Sequence, residues 1–253
     1  MIMTSQDNSQ RARLDQLLVD TGAFASRSRA RDAILRGAVR IAGQAASKPG
    51  QMVSSDSPID IDDPARNYVS RAALKLKAAL EHFNLSPKGR TALDIGASTG
   101  GFTQVLLEDG AAHVIAVDVG HGQMDAGLAA DPRVTSIEGL NARDLDLVHL
   151  QGEHPRFIVS DVSFISLKLA LPSALSLAAP GAEAVLLVKP QFEVGRARIG
   201  KGGLVSREDA ERCSRDLAQW LSDQPGWRVL GLHPSPISGG DGNAEFLLAG
   251  RKA

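Results

Sequence analysis

Thr91-Ala92-Leu93-Asp94-Ile95-Gly96-Ala97-Ser98-Thr99-Gly100-Gly101-Phe102 is the stretch on which the fold turns. Its first five residues read as a short apolar strand, the glycines as a turn, and Val105, Leu106 and Leu107 as the apolar face of a helix. Strand, glycine turn and helix in that order open a doubly wound α/β nucleotide fold. The glycines allow close backbone approach, and the helix N-terminus favours a negative group such as a carboxylate. A second strand, His113 to Asp118, ends on an acid 24 residues after Asp94, the distance at which a carboxylate can accept both ribose hydroxyls. The loop lacks the lysine of G-x-x-x-x-G-K-[ST], and Gly96-x-x-x-Gly100-Gly101 is not G-x-G-x-x-G, so neither phosphate-binding pattern fits.

Further strands follow the same logic. Val134 to Glu138 reads as the third, Phe157 to Asp161 as the fourth and Ala184 to Val188 as the fifth. Arg207 to Gln224 reads as a helix, Trp227 to His233 as the sixth strand and Glu245 to Ala249 as the seventh. In an open parallel sheet, ligands sit beyond the carboxyl ends of the strands, and Asp161 and Lys189 occupy that edge. An antiparallel last strand would bring Glu245, at its start, to the same edge, and Lys75 precedes the glycine-rich loop. The expected architecture is a seven-stranded, mostly parallel sheet with an antiparallel last strand.

Ahead of this sheet lies a basic segment. Eight basic residues between Arg11 and Lys48 face three aspartates, a net of +5. The whole chain carries −1 and Asp7 is the only earlier charge, so residues 49–253 carry −5. A basic cluster on an otherwise acidic chain suits a phosphate-backbone partner; a solvated helix face is the plainer alternative. Leu14, Leu17, Leu18 and Thr21 predict one short helix, and Ser26 caps a second through Ala30, Ala33 and Ile34 that stops at Gly37. Val39 to Ile41 and Ile59 to Ile61 read as a short strand pair. The expected boundaries are a frayed tail over residues 1–10, a small α+β domain over 11–61, a linker over 62–70 and the α/β domain over 71–253.

Composition narrows the classes further. With 43% hydrophobic and 4% aromatic residues, the chain suits a folded core of Ala, Leu and Val. The most apolar stretches are broken by Lys168, Pro172, Pro180 and Glu183, short of the roughly 20 apolar residues of a membrane helix. Neither export nor a membrane span is expected, and a cytoplasmic location follows. The single cysteine, Cys213, rules out an intramolecular disulfide and a multi-cysteine zinc site, and His121 and His233 have no partner at metal spacing, so no metal is expected.

Several runs carry resemblances. Leu93 to Phe102 is similar to the first motif of S-adenosylmethionine-dependent methyltransferases, which implies a Rossmann-like class I fold. That resemblance implies a cofactor held by Asp94, Gly96, Ala97, Ser98, Thr99, Gly100, Gly101 and Phe102, with Asp118 on the ribose, Asn141 near the adenine and Asp161 bridging to the reaction centre. The basic segment, with Arg13-Leu14-Asp15 and Ser26-Arg27-Ser28-Arg29-Ala30-Arg31 opening its helices, resembles the S4 RNA-binding domain named after a ribosomal protein. This implies RNA contact through Arg13, Arg27, Arg29, Arg31, Arg36 and Arg40. Lys75, Asp161, Lys189 and Glu245 look like the lysine-aspartate-lysine-glutamate tetrad of the FtsJ-like ribose 2′-O-methyltransferases. The flanking runs Tyr68 to Leu76, Ser160 to Leu167, Val188 to Gly195 and Gly242 to Phe246 match as well. Together these make the chain resemble the TlyA family, named historically as haemolysins. The family implies a ribosomal RNA cytidine-2′-O-methyltransferase, with ribosomal RNA or a ribosomal subunit as partner and the large subunit as the expected target.

The chemistry can be argued apart from the name. Methyl transfer to a ribose hydroxyl needs in-line alignment and removal of the hydroxyl proton at or after attack. An ordinary ammonium costs roughly 4 to 5 kcal/mol to deprotonate at pH 7. A second ammonium at Lys75 and burial favour the neutral amine at Lys189, whereas Asp161 and Glu245 oppose it. Lys189 is thus a base or a hydroxyl-orienting group, Lys75 and Glu245 are electrostatic partners, and Asp161 is a bridge between cofactor and lysine. Singly, each residue reads as well as a helix lysine, a strand-end cap, a surface charge or an edge-strand gatekeeper. The competing functions are a membrane-lytic haemolysin and an RNA-binding protein with an inactive methyltransferase half.

Overall fold

The computed structural model describes residues 11–253, so the tail expected over residues 1–10 lies outside the described residues. The chain divides into two compact units, the first ending at Asn67 and the second running from Tyr68 to Ala253.

In the first unit, β1 (Arg11–Arg13), α1 (Leu14–Asp20), α2 (Arg27–Leu35), β2 (Val39–Ile41), β3 (Gln44–Ala45), β4 (Met52–Ser54) and β5 (Ile59–Ile61) follow one another. The helices form where the sequence predicts them. The Ser26 hydroxyl accepts from the Arg29 amide, and Gly37 at φ +78° ends the second helix. Leu14, Leu17 and Leu18 pack with Ala30, Ala33, Ile34 and Val39 into one small core. The strands exceed the single pair expected: β2 pairs with both β3 and β5, while β1 and β4 make a separate antiparallel ribbon. Residues 62–67, read from the sequence as linker, are tied to this unit. The Asp62 amide donates to the Ala38 carbonyl, Arg36 holds Asp63 with two 3.1 Å hydrogen bonds, and Ala65 is buried.

The second unit opens with α3 (Ala73–Phe83), β6 (Thr91–Ile95), α4 (Gly101–Glu108), β7 (His113–Asp118), α5 (Ala126–Ala129) and β8 (Val134–Glu138). It continues through β9 (Phe157–Ser160), α6 (Leu167–Ala170), α7 (Pro172–Leu177), β10 (Glu183–Val188), α8 (Arg207–Ser222), β11 (Trp227–Pro234) and β12 (Phe246–Lys252). All seven strands join one sheet in the order β11-β12-β10-β9-β6-β7-β8, with only β12 antiparallel to its neighbours. Both faces are covered, so alternate residues feed two cores: Leu93, Ile95, Ile158 and Leu186 on one side, Ala92, Phe157, Val159 and Leu187 on the other. The fourth strand stops at Ser160, which puts Asp161 just past its end, and the seventh begins at Phe246, which puts Glu245 just before its start. Because β12 is reversed, those two positions share one edge of the sheet. The strand order turns back between β6 and β9, the place where such sheets open a crevice for ligands.

Candidate active site

The crevice at that edge is built from the ends of β6, β7, β9 and β10. Gly96 has φ +83°, and a Cβ there would lie 3.0 Å from the Asp161 carbonyl oxygen, so only glycine lets these two strand ends approach. A Cβ on Gly101, at the start of α4, would come within 2.9 Å of Ser70. Two cavities meet over this loop. One, of about 200 Å³, is bounded by Ser70, Gly96 to Thr99, Gly101, Phe102, Asp161, Ser163 and Lys189. The other, of about 530 Å³, adds Asp118, Val119, Gln123, Leu140, Asn141, Val162, Phe164 and Ile165. Gly96, Ser98, Asp161 and Ser163 belong to both.

The walls suit a nucleoside with a polar tail. Asp118 accepts from the amides of Ser98 at 2.8 Å and Gly120 at 2.7 Å, which aims its carboxylate while leaving acceptor capacity for ribose hydroxyls. Val119, Leu140, Val162 and Ile165 give the larger cavity apolar walls for a base, and Asn141 lies among them. The smaller cavity sits against the loop and the N-terminal end of α4. The donor set and shape fit S-adenosylmethionine, with its nucleoside in the larger cavity and its amino-acid end in the smaller.

The tetrad expected from the sequence comes together beside this crevice as two ion pairs. Lys75, buried in the first turn of α3, stands 2.5 Å from Glu245 through Nζ and Oε2. Lys189, immediately after β10, stands 2.6 Å from Asp161 through Nζ and Oδ1. Lys189 Nζ makes no hydrogen bond of ordinary geometry to Asp161 Oδ1 despite its closeness. Burial pushes the Glu245 carboxyl above the usual range against the opposing pull of Lys75 and Lys189, and Asp161 adds to the rise. Glu245 therefore feels both lysines and Asp161.

Three expectations change in the structure. Asp94 is fully buried and reaches neither cavity; its Oδ2 accepts from Thr103 Oγ1 at 2.7 Å, locking β6 to α4. It ties the loop to α4 from behind and lines neither cavity. Arg36, expected on the RNA face, spends its guanidinium on Asp32 and Asp63. Arg29 likewise donates to the carbonyls of Ala65 and Arg66. Arg13 and Arg27 converge on the buried Asp15, whose carboxyl they hold down at about 2, yet both remain about half exposed. Arg31 and Arg40 are exposed.

Other site residues were not singled out in the sequence. Ser163 Oγ accepts from Lys189 Nζ at 2.8 Å. Phe164 is 90% exposed at φ +66°, with its ring 5.0 Å from that of Phe192. Buried Asn243 accepts from the Val205 amide and donates to the Gly203 carbonyl, holding that segment near Glu245. All three lie in the flanking runs Ser160 to Leu167 and Gly242 to Phe246, but nothing in those runs marked these positions from their neighbours. Among the described residues no group of three or more His, Cys, Asp or Glu could hold a metal ion.

Strand order, reversed seventh strand and crevice define the class as the Rossmann-like methyltransferase fold. Residues 68–252 match the FtsJ-like methyltransferases and residues 12–59 match the S4 domain. The chain belongs to the FtsJ-like methyltransferase family, within its TlyA branch. It is 44% identical over 241 residues, 95% of this chain and 90% of the relative, to the Mycobacterium tuberculosis protein named 16S/23S rRNA (cytidine-2′-O)-methyltransferase TlyA. A Campylobacter jejuni protein named 23S rRNA (cytidine-2′-O)-methyltransferase TlyA is 38% identical, over 71% of this chain and 69% of the relative. A solved structure from Streptococcus thermophilus, provisionally named a haemolysin, superposes with a TM-score of 0.76 at 41% identity, over 96% of this chain and 89% of that one.

Proposed function

We propose that the protein transfers the methyl group of S-adenosylmethionine to the ribose 2′-hydroxyl of a cytidine in ribosomal RNA of the large subunit. The observation that carries this reading is the pairing of Lys189 with Asp161 on the wall of the smaller cavity, with Lys75 and Glu245 paired and buried near them. Bound there, the cofactor supplies an electrophilic sulfonium methyl. Lys189 takes or orients the hydroxyl proton, and Asp161 holds the lysine beside the cofactor's place. Lys75 and Glu245 form a buried pair behind them that sets the local field. Gly96 to Phe102 and Asp118 hold the amino-acid end and the ribose, and Asn141 borders the adenine.

RNA binding is assigned to the first unit, with Arg31, Arg40 and the exposed parts of Arg13 and Arg27 as phosphate contacts. Arg36 and Arg29 act as braces for the segment that follows β5. Phe164 offers an exposed ring beside the crevice, a surface on which a base turned out of its strand can stack. The names of both TlyA relatives include 23S rRNA, which supports that choice. A ribosomal substrate supports a cytoplasmic location. The lytic alternative draws only on a relative's name; among the described residues no helix is long and apolar enough to cross a membrane.

The test is nucleoside mapping. Subunits lacking the modification are incubated with the protein and methyl-labelled cofactor, and the RNA is digested to nucleosides. Label in 2′-O-methylcytidine from the large subunit is expected; label on a base, or in small-subunit RNA alone, contradicts the proposal.

A further inference from the structure

A lysine amine sits on a flexible stem and rotates about its last bond, so a nearby carboxylate gives it charge without giving it direction. At Lys189 the Asp161 oxygen is 2.6 Å away but accepts no hydrogen bond of ordinary geometry. The one aligned hydrogen bond that Lys189 Nζ makes among the described residues is to Ser163 Oγ, at 2.8 Å. Ser163 belongs to the segment between β9 and α6, on the wall common to both cavities. This segment is stitched to the one that carries Lys189: the Glu193 carboxylate accepts from Ser166 Oγ at 2.5 Å and from the Leu167 amide at 2.7 Å. The Phe164 and Phe192 rings make a second contact between the same two segments. Serine and lysine therefore face each other from braced positions.

We propose that Ser163 is a positioning residue for the reaction, one that turns the Lys189 amine so that its free valence faces the substrate hydroxyl. A neutral amine has two N–H groups and one lone pair. With one N–H fixed on Ser163 Oγ and the other within reach of Asp161, the lone pair is left pointing into the crevice, where it receives the proton leaving the ribose oxygen. The amine becomes an ammonium, and the proton passes to solvent once product departs. Losing the serine leaves the charges around Lys189 in place, those of Asp161, Glu245 and Lys75, and removes the aim together with one neutral acceptor. Because Ser163 is exposed, its hydroxyl contributes nothing to the core.

The inference rests on Lys189 being the proton acceptor, so the experiment separates the two claims. Single-turnover methylation of unmodified large subunits, saturated with S-adenosylmethionine, is followed against pH for wild type, Ser163→Ala, Ser163→Thr and Lys189→Ala. With cofactor saturating, Ser163→Ala is expected to lose about tenfold or more in plateau rate. Its acid limb moves to lower pH, because a hydroxyl acceptor favours the ammonium. Ser163→Thr keeps the hydroxyl and is expected to keep both rate and limb. A Ser163→Ala protein with the wild-type rate overturns the proposal. So does a slow one whose acid limb is unmoved, since that marks general loop damage. A fully active Lys189→Ala protein instead removes the reading of Lys189 on which the proposal stands.

Discussion

A carboxyl group with no exposed surface sits behind the cofactor loop. Burial pushes Asp94 up to about 7, against the pull of its Thr103 bond and with a smaller push from the Asp161 charge. The folded protein thus keeps a proton that the unfolded chain releases near 3.8. Stability from this group is complete below that pH, falls as pH rises through the window and stays low above about 7. Asp94→Asn can still accept from Thr103 and carries no charge to bury. Urea unfolding at a series of pH values is expected to show equal stability near pH 4 and a growing advantage for the asparagine protein up to pH 7, on the order of a few kcal/mol. Equal stability at pH 8 would show that the carboxyl is solvated after all. Resemblance to the first methyltransferase motif put Asp94 among the expected cofactor contacts, and a motif sets a residue near a strand end without showing which face it takes. Ser163 escaped for a related reason: Ser160, Ser163 and Ser166 all lie in one run, and only the path of the loop decides which reaches Lys189.

At the level of elements, the β-strands were legible because parallel strands buried on both faces are written as unbroken apolar runs, as in Ala184 to Val188. The reversed seventh strand was readable as a condition for Glu245 to reach the site, and the register of β12 against β10 and β11 meets it. The short helices α5, α6 and α7 were not legible, since four to six residues give too little periodicity and their ends are fixed by distant groups. α7 is the clearest case. Lys252, at the far end of the chain, donates through Nζ to the carbonyls of Leu175, Ser176 and Ala178 at 3.1, 2.9 and 2.8 Å. Those acceptors are the orphan carbonyls of a helix end. Lys252→Met keeps the apolar stem and removes the donor, and is expected to cost about 1 to 3 kcal/mol in chemical denaturation. An unchanged midpoint would assign those carbonyls to water.

Across the whole molecule, two units of different charge serve one proposed task. The arginine-bearing segment from Arg11 to Lys48 of the first unit is expected to supply non-specific phosphate affinity, and the second unit the chemistry. If Arg31 and Arg40 each neutralise one phosphate, replacing both with glutamine lowers the slope of log affinity against log salt by about 2, with little change in cofactor binding. The same slope in wild type and variant, measured by RNA binding across a salt series, would take those two arginines off the contact surface. Arg36 shows the limit of charge counting: its partner Asp63 lies 27 residues away, and no count of basic residues tells a brace from a contact.

The central claim is that Lys189, paired with Asp161 and backed by Lys75 and Glu245, handles the hydroxyl proton. Single-turnover methylation of unmodified large subunits at saturating S-adenosylmethionine, wild type against Lys189→Ala, tests it most directly. The alanine protein is expected to fold, to bind cofactor and RNA with wild-type affinity, and to lose on the order of 100-fold or more in rate. A rate within about twofold of wild type, a difference of less than 1 kcal/mol in the barrier, would contradict the account.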